Sequence, residues 1–293
     1  MTNSIEKFSE ITQREVPLSR YTWLGIGGPA EMLLTPRDRD ELISVAQTCI
    51  ESDIPVRILG SGSNLLVRDA GVRAAVIHVV DPLLSSVTVD DNTVTAEGGA
   101  LLSHVVTESV RAGLGGMEHL VGIPGTVGAA IIGNSGGRLG DIGQVVTSVS
   151  VLTQSGELTT RKEDELHFTY RNSSVQDLLL ISATFSLTPV DSDELTKTTR
   201  KNWILKRATQ PLADQSAGCI FRNPRGLSAG ALIEQSGLKG LTVGKARVSD
   251  RHANFIVTEK DCSSDDVEKL TERIQKVVEE KFGVELELEI RVW

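Results

Sequence analysis

An uncharged stretch of sixteen residues, from Gly122 to Gly137, constrains this chain more than any other feature. It holds six glycines and one proline among mainly apolar residues. Glycine lets a ligand approach the main chain without a Cβ in the way, and successive N–H groups form a concavity that binds anions. Thr126 offers its N–H and its hydroxyl to a phosphate, and a helix starting there would add its dipole. We interpret the stretch as the floor of a buried site for a cofactor with a pyrophosphate; a glycine-rich turn between strands is the alternative.

Two further glycine clusters precede this stretch. One covers residues 25–28. The other, Gly60-Ser-Gly-Ser-Asn64, follows a strand predicted at Val56–Leu59, which is where α/β folds place phosphates. Neither cluster matches the Walker motif or the Gly-x-Gly-x-x-Gly fingerprint. Three such loops in one chain predict a cofactor wrapped by main chain.

The composition limits the partners and the location. The 30 Lys and Arg against 39 Asp and Glu give a net charge of −9, which argues against a nucleic-acid partner. The first residues lack the apolar core of a secretory signal, and the longest uncharged run is too rich in glycine to insert in a membrane. Three distant cysteines and five scattered histidines show no metal spacing. We expect a cytoplasmic monomer without a metal ion.

Periodicity predicts an α+β chain. Apolar residues at helical spacing predict a helix after Pro36, with Cys49 on its buried face, and further helices at about 101–112 and 193–208. Strands and a hairpin are predicted between 145 and 187. Ser263 opens a capped helix that ends at Gly283. Residues 284–292 alternate apolar and charged side chains, which predicts a strand with a row of glutamates on one face.

Three polar features offer chemistry. Arg171, beside Tyr170 in an apolar setting, would clamp a carboxylate; the alternative is an arginine at a sheet edge with its head in water. Cys219, in a turn, is either a small buried hydrophobe or a thiol able to donate a proton at pH 7. The glutamate row, which includes Glu289, is by default a solvated strand face.

Several motifs occur together in one order along the chain. They include Leu59-Gly-Ser-Gly-Ser-Asn-Leu-Leu-Val67, Gly122-Ile-Pro-Gly-Thr-Val-Gly128, Tyr170-Arg-Asn-Ser173, Ser216–Pro224, His252-Ala-Asn-Phe-Ile256 and Leu286-Glu-Leu-Glu-Ile-Arg291. In this combination the chain resembles the UDP-N-acetylenolpyruvoylglucosamine reductase family (MurB), in the shorter subtype that lacks a substrate-covering insertion. The resemblance covers nearly the whole chain.

The resemblance implies an FAD-binding fold of the vanillyl-alcohol-oxidase (PCMH) type in two lobes, followed by an α/β substrate domain. The expected boundaries are 1–189 for the FAD-binding domain, with lobes at about 1–80 and 81–189, and 190–293 for the substrate domain. It also implies that NADPH reduces FAD, and that the flavin then reduces the enolpyruvyl double bond of UDP-GlcNAc-enolpyruvate to give UDP-N-acetylmuramate for peptidoglycan.

The resemblance also implies roles for individual residues. Arg171 and Glu289 match catalytic positions, and Cys219 stands where the family's proton donor is usually serine. The residues expected to bind FAD are Gly25, Gly27, Gly60, Ser61, Gly62, Ser63, Asn64, Leu65, Gly122, Pro124, Gly125, Thr126, Gly128, Asn134 and Gly136. Those expected to bind substrate are Tyr170, Arg222, Asn223 and His252.

Two departures from the family pattern keep other functions open. Cys219 replaces the usual serine, and Arg222 stands where lysine is usual. A thiol is a stronger acid than a hydroxyl, so Cys219 can serve as donor unless a nearby arginine makes it a thiolate. The alternatives are another FAD-dependent oxidoreductase on the same fold, or a UDP-sugar-binding homologue with impaired catalysis.

Overall fold

The structure, a computed structural model, describes residues 4–80 and 82–293. The chain divides into two compact units. The first comprises Met1–Arg14, Met32–Ser61 and Arg73–Leu205, and the second comprises Glu15–Glu31, Gly62–Val72 and Lys206–Trp293. Each unit is therefore assembled from three separate stretches of sequence.

Among the α-helices, the last begins and ends where its capping residues predict. Ser263 caps the last of them in a reciprocal capping box with Asp266, and Gly283 ends it with φ of 66°, so the predicted capped helix is confirmed. Cys49 is fully buried on its helix, as predicted. The α-helices are α1 (Arg39–Glu51), α2 (Leu102–Arg111), α3 (Val127–Ile132), α4 (Ser192–Thr209), α5 (Ala229–Gln235) and α6 (Ser264–Phe282).

Short 3-10 helices and many short strands connect these helices. The 3-10 helices cover Glu6–Ile11, Leu18–Arg20, Pro82–Leu84, Glu118–Leu120, Ile142–Gln144 and Glu163–Glu165. The strands are β1 (Thr12–Pro17), β2 (Pro29–Leu34), β3 (Val56–Leu59), β4 (Leu65–Leu66), β5 (Val72–His78), β6 (Val87–Asp90), β7 (Thr93–Glu97), β8 (Leu114–Gly115), β9 (Gly136–Gly137), β10 (Gly140–Asp141), β11 (Val146–Leu152), β12 (Leu158–Lys162), β13 (Phe168–Thr169), β14 (Asn172–Ser173), β15 (Leu179–Ser186), β16 (Thr188–Pro189), β17 (Ser216–Cys219), β18 (Thr242–Val243), β19 (Ala246–Val248), β20 (Phe255–Thr258) and β21 (Arg291–Val292).

A five-stranded antiparallel sheet, in the order β12-β11-β15-β7-β6, forms the larger core of the first unit. The predicted hairpin is its β11–β12 pair. Apolar residues of the sheet, such as Val149 and Phe185, pack with Val105 of α2 and Ile131 of α3. The glycine-rich stretch is thereby anchored, because the buried side chains of α3 belong to this core.

A second sheet, in the order β1-β2-β5-β3, carries the loop that follows β3. β3 and β5 run parallel, with Leu59 opposite His78. The apolar face of α1 packs in a separate core with Ala75 and Ile77 of β5. The Gly60–Asn64 loop therefore leaves the carboxyl end of a parallel strand, as predicted from the sequence.

The second unit contains the antiparallel sheet β17-β20-β19-β18 with α5 and α6. Its core includes Phe221, Ile233, Val267 and Leu286. The apolar face of α6 is buried here, since its residues Val267, Leu270, Ile274 and Val278 are at most 1% exposed.

The strand predicted over residues 284–292 is wrong in extent. Only β21 forms a ladder, parallel to β4, and Leu288 makes a single bridge to Phe221. Leu286 and Ile290 are buried, whereas Leu288 is 37% exposed, so the alternation breaks in the middle. The segment is extended, and its hydrogen bonds go to two different neighbours, so no continuous partner strand runs beside it.

Candidate active site

Two of the predicted phosphate loops meet in the first unit. A Cβ placed on Gly60 would lie 2.8 Å from Oγ1 of Thr126, so this position requires the smallest residue. Thr126 is 2% exposed and caps α3, because its Oγ1 accepts a hydrogen bond from the N–H of Ala129 at 3.4 Å. The end of β3 and the start of α3 therefore form one contiguous surface.

The first N–H groups of α3 bond within the protein. Val127 donates to the carbonyl of Ala100 at 2.8 Å, and Gly128 donates to the carbonyl of Gly98 at 2.9 Å. Among residues 4–80 and 82–293, no partner is described for the N–H groups of Gly125 and Thr126. The donors that this turn offers an anion are thus the two amides before the helix, and α3 itself contributes little to the site.

The rest of the Gly60–Asn64 loop, from Gly62 onward, and the first glycine cluster lie in the second unit. Gly62 has φ of 65°, and a Cβ there would overlap the carbonyl oxygen of Tyr21. The carbonyl of Gly62 accepts a hydrogen bond from Trp23 at 3.1 Å. This close approach holds Gly62 against residues 21–23, which lie just before the first glycine cluster with Gly25 and Gly27.

Arg171 lies in the first unit, in a two-residue turn between β13 and β14. Its φ of 56° is left-handed, which is uncommon for a residue with a Cβ. Its Nη1 donates to the carbonyl of Gly136 at 3.0 Å, and its guanidinium lies 5.4 Å from the centre of the Tyr170 ring. These contacts fix the direction of the positive charge before any ligand arrives.

Asn134, expected to bind FAD, makes structural contacts around the same turn. It is 2% exposed. Its Nδ2 donates to the carbonyl of Thr169 at 2.9 Å, and its Oδ1 accepts from the N–H of Gly143 at 3.1 Å. The glycine-rich stretch and the Arg171 turn are therefore joined through a buried carboxamide.

Cys219 and Glu289 lie on adjoining segments of the second unit. The N–H of Glu289 donates to the carbonyl of Ile220 at 2.7 Å, and the N–H of Arg222 donates to the carbonyl of Glu287 at 2.8 Å. Cys219 is half-buried and ends β17, so it belongs to a strand where the sequence predicted a turn. The structure thus joins two backbone segments, residues 220–222 beside Cys219 and residues 287–289, that lie far apart in the sequence.

The Gly62–Leu65 segment of this unit contacts the same stretch of chain. Nδ2 of Asn64 donates to the carbonyl of Glu289 at 3.2 Å, and Leu65 lies opposite Arg291 in the β4–β21 pair. The conformation of the Gly62–Leu65 loop is thus coupled to the backbone that carries Glu289.

The predicted substrate residues of the second unit surround this segment. Arg222 Nη1 lies 3.8 Å from a carboxylate oxygen of Glu287, while its Nε is buried without a hydrogen-bond partner in the described part of the chain. A buried donor of this kind indicates a missing acceptor. Oδ1 of Asn223 accepts from the N–H of Ala229 at the start of α5.

His252 is held as a neutral imidazole. Burial and the nearby charge of Lys239 lower its pKa. Its Nδ1 accepts a hydrogen bond from the N–H of Asn254 at 3.3 Å. The proton of the neutral ring therefore lies on Nε2, which makes that nitrogen a donor. The ring also packs edge-on against Phe255, with centroids 4.8 Å apart.

The sequence analysis missed Asn254, which is 3% exposed. The motif around His252 was recognised, but the asparagine within it was assigned no role. A polar residue just before an apolar strand was the available signal, since a buried carboxamide needs hydrogen-bond partners.

Neither a metal-binding cluster nor a membrane-spanning helix occurs among the residues that the structure describes. No group of three or more His, Cys, Asp or Glu side chains within 4–80 and 82–293 is placed to hold a metal ion. Within the same residues, no helix combines the length and the apolar character needed to cross a bilayer.

Two domain families of known proteins match this chain, in two separate stretches of the sequence. Residues 210–293 match the family described as UDP-N-acetylenolpyruvoylglucosamine reductase, C-terminal domain, and residues 30–161 match the family described as FAD binding domain. UDP-N-acetylenolpyruvoylglucosamine reductase 2 of Symbiobacterium thermophilum is 42% identical over 283 residues, covering 96% of this chain and 92% of that protein. The chain belongs to the UDP-N-acetylenolpyruvoylglucosamine reductase (MurB) family.

Further relatives support this membership. The reductase of Lactobacillus helveticus is 39% identical over 282 residues, covering 96% of this chain and 94% of the relative. The crystal structure of MurB from Thermus caldophilus superposes with a TM-score of 0.80 at 38% identity, covering 96% of this chain and 98% of that one. The predicted family and the α+β FAD-binding fold are confirmed, and the chain is an oxidoreductase with an FAD-binding domain.

Proposed function

We propose that this chain uses NADPH to reduce the enolpyruvyl double bond of UDP-GlcNAc-enolpyruvate, giving UDP-N-acetylmuramate for peptidoglycan synthesis. Two relatives named UDP-N-acetylenolpyruvoylglucosamine reductase, which this chain matches over nearly their full length, support this reaction. The observation that supports the proposal is the main-chain pairing of residues 220–222, which directly follow Cys219, with residues 287–289, which include Glu289.

The glycine loops fit an FAD pyrophosphate. Gly60 lacks a Cβ where one would press on Thr126, and the N–H groups of Gly125 and Thr126 have no described protein partner. Such amides bind phosphate oxygens. The proposed FAD-binding set is Gly25, Gly27, Gly60, Ser61, Gly62, Ser63, Asn64, Leu65, Gly122, Pro124, Gly125, Thr126, Gly128, Asn134 and Gly136. Of these, Asn134 would act by shaping the loop. Residues 1–189 would form the FAD-binding domain, and 190–293 the substrate domain.

Reduction of the double bond takes a proton and a hydride equivalent, which the bound flavin would supply once NADPH has reduced it. Cys219 is the proposed proton donor: its S–H bond breaks as the new C–H bond forms, and water returns a proton to the thiolate. An ordinary thiol has a pKa of about 8.5 and is mostly protonated at pH 7. Cysteine can therefore replace the serine that is usual in the family.

Arg171 would stabilise negative charge that develops beside the substrate carboxylate. A cation aimed in advance at such charge lowers the barrier without reorganising during the reaction. The contacts of Arg171 with Gly136 and Tyr170 provide this fixed direction. Glu289, held by its own N–H to Ile220, would help polarise the forming enolate.

The proposed substrate contacts are polar. Arg222 supplies a buried Nε donor that lacks a described partner, which fits an anionic substrate. Neutral His252 supplies an Nε2–H, and Tyr170 and Asn223 complete the set. None of the cysteines at 49, 219 and 262 forms a disulfide, as expected in a reducing compartment such as the cytoplasm. We also propose that the chain acts there as a monomer.

The test uses the colour of the purified flavoprotein. NADPH should bleach the flavin absorbance, and UDP-GlcNAc-enolpyruvate should restore it without oxygen. Cys219→Ser should retain this second step, whereas Cys219→Ala should slow it by about 10²-fold or more, the usual contribution of a general acid. Cys262→Ala, which removes a buried thiol outside the site, is the matched control.

Each other outcome points to a different function. Recolouring of Cys219→Ala at the wild-type rate would remove cysteine from the mechanism. A flavin that NADPH or another donor bleaches, but that the UDP-sugar does not restore, would favour a different FAD-dependent oxidoreductase. Binding of the UDP-sugar without recolouring would indicate an impaired homologue.

A further inference from the structure

Asn254 makes three hydrogen bonds to the two residues that follow Cys219. Its main-chain carbonyl accepts from the N–H of Ile220 at 2.9 Å. Its Oδ1 accepts from the N–H of Phe221 at 3.0 Å, and its Nδ2 donates to the carbonyl of Phe221 at 2.8 Å. The carboxamide therefore binds both polar groups of one residue, as a neighbouring strand would.

The opposite side of the same segment binds the chain end. The carbonyl of Ile220 accepts from Glu289 at 2.7 Å, and the N–H of Arg222 donates to the carbonyl of Glu287 at 2.8 Å. Residues 220–222 thus lie between Asn254 and the segment that carries Glu289. Phe221 is 1% exposed in the core of the second unit, so this segment cannot shift without repacking that core.

We propose that Asn254 is a positioning residue that sets the distance between the Cys219 thiol and the Glu289 carboxylate. This inference rests on the proposed function, in which these two side chains act on one substrate. A displacement of about 1 Å at reacting groups can cost about 10²-fold in rate. The carboxamide of Asn254 acts through Phe221, with which it makes both of the hydrogen bonds described above.

The chemistry requires a carboxamide at this position. Phe221 needs an acceptor for its N–H and a donor for its carbonyl, and the side chain of asparagine presents both. An ionised aspartate of the same shape only accepts, so one hydrogen bond becomes a repulsion between two oxygens. A protonated aspartic acid has a donor again, and burial favours the protonated form.

The variant Asn254→Asp should therefore recover its function as the pH falls. With NADPH, the bleaching of the flavin should proceed at the wild-type rate. Recolouring by UDP-GlcNAc-enolpyruvate should be about 10²-fold slower than in the wild type at pH 8, and this ratio should approach one at lower pH. Asn254→Leu should be slow at every pH, because leucine can never donate.

Thr271→Val is the matched control. It removes one hydrogen bond of a buried hydroxyl, from Oγ1 to the carbonyl of Glu268, within α6 of the same unit. It should bleach and recolour as the wild type does at every pH. A wild-type rate of recolouring in Asn254→Asp at pH 8 would overturn the proposal, as would equal slowing of both steps. Loss of folding in both Asn254 variants while Thr271→Val folds would make Asn254 merely structural.

A second measurement separates this inference from the proposed function. If the wild type does not reduce the UDP-sugar, the proposed function fails. The rate at which iodoacetamide alkylates Cys219 still measures how tightly the thiol is packed. Looser packing should make alkylation several-fold faster in Asn254→Asp at pH 8, with no change in Thr271→Val. Equal alkylation rates in all three proteins would overturn the positioning role.

Discussion

Replacing Gly60 by alanine tests the junction of the two phosphate loops in the first unit. The new Cβ would lie 2.8 Å from Oγ1 and 3.2 Å from Cγ2 of Thr126, whereas unstrained contacts between carbon atoms are about 3.5–4.0 Å. Thr126 would have to move, and it is both buried and the cap of α3. The overlap therefore disturbs the start of α3 and the amides before it.

The matched control is Gly137→Ala. Gly137 lies in the same glycine-rich stretch as Thr126 and is exposed, and a Cβ there would meet nothing within 4 Å. Neither glycine has a left-handed φ, so the entropy gained by adding a methyl group, about 0.4–1 kcal/mol, cancels between the two variants. The difference between them is the cost of overpacking, about 1–3 kcal/mol.

Two assays measure where this cost falls. If it acts on the protein without FAD, thermal unfolding should occur about 2–4 °C lower per kcal/mol. If it acts on the FAD complex, the dissociation constant in a fluorescence titration should rise by about 5- to 150-fold. The reasoning is refuted if Gly60→Ala and Gly137→Ala agree within about 0.3 kcal/mol in both assays.

Three further perturbations address other parts of the chain. Arg171→Met should leave FAD content unchanged and lower the rate of recolouring by about 10²–10³-fold, the usual cost of losing one charge-stabilising donor; unchanged kinetics would exclude the charge. Iodoacetamide at pH 8 should label Cys219 before the other two cysteines. Burial raises the pKa of Cys49 to about 11, and burial together with a nearby carboxylate raises the pKa of Cys262 to about 12. Mass spectrometry of the labelled peptides measures the order, and earlier labelling of Cys49 or Cys262 would contradict the prediction. Asp266 accepts hydrogen bonds from main-chain N–H groups, which lower its pKa; it therefore stabilises the fold above the pKa of an unfolded aspartate, about 3.9, and this contribution is lost as the pH falls through its folded pKa. Asp266→Asn should unfold at a lower temperature than the wild type at pH 6, and the difference between their unfolding temperatures should narrow in acid.

Features that depend on nearby residues were predicted well. The bounds of α6 follow from the capping box at Ser263 and from the left-handed φ of Gly283. β3 was placed at Val56–Leu59 with the glycine loop at its end. In each case the hydrogen bonds or the packing face repeat with the period of one element, so a short window of sequence contains the whole signal.

The chain end shows why other features were not predicted. The alternation over residues 284–292 indicates an extended chain, but it does not reveal whether a partner strand exists. Here the partners are Ile220, Phe221, Leu65 and Leu66, from two distant stretches, and the ladder lasts only two residues. Asn254 was not predicted for the same reason: its hydrogen-bond partner, Phe221, lies 33 positions away in the sequence.

Residue types and their order were sufficient to indicate the family, the FAD-binding fold and the candidates Arg171, Cys219 and Glu289. Only the folded chain shows which amides are left to bind an anion, because the first N–H groups of α3 donate to the carbonyls of Ala100 and Gly98. The pairing of residues 220–222, next to Cys219, with residues 287–289 also arises only in the folded chain. Hydrogen bonds between distant segments have no period in the sequence, so only the completed packing of each core selects them.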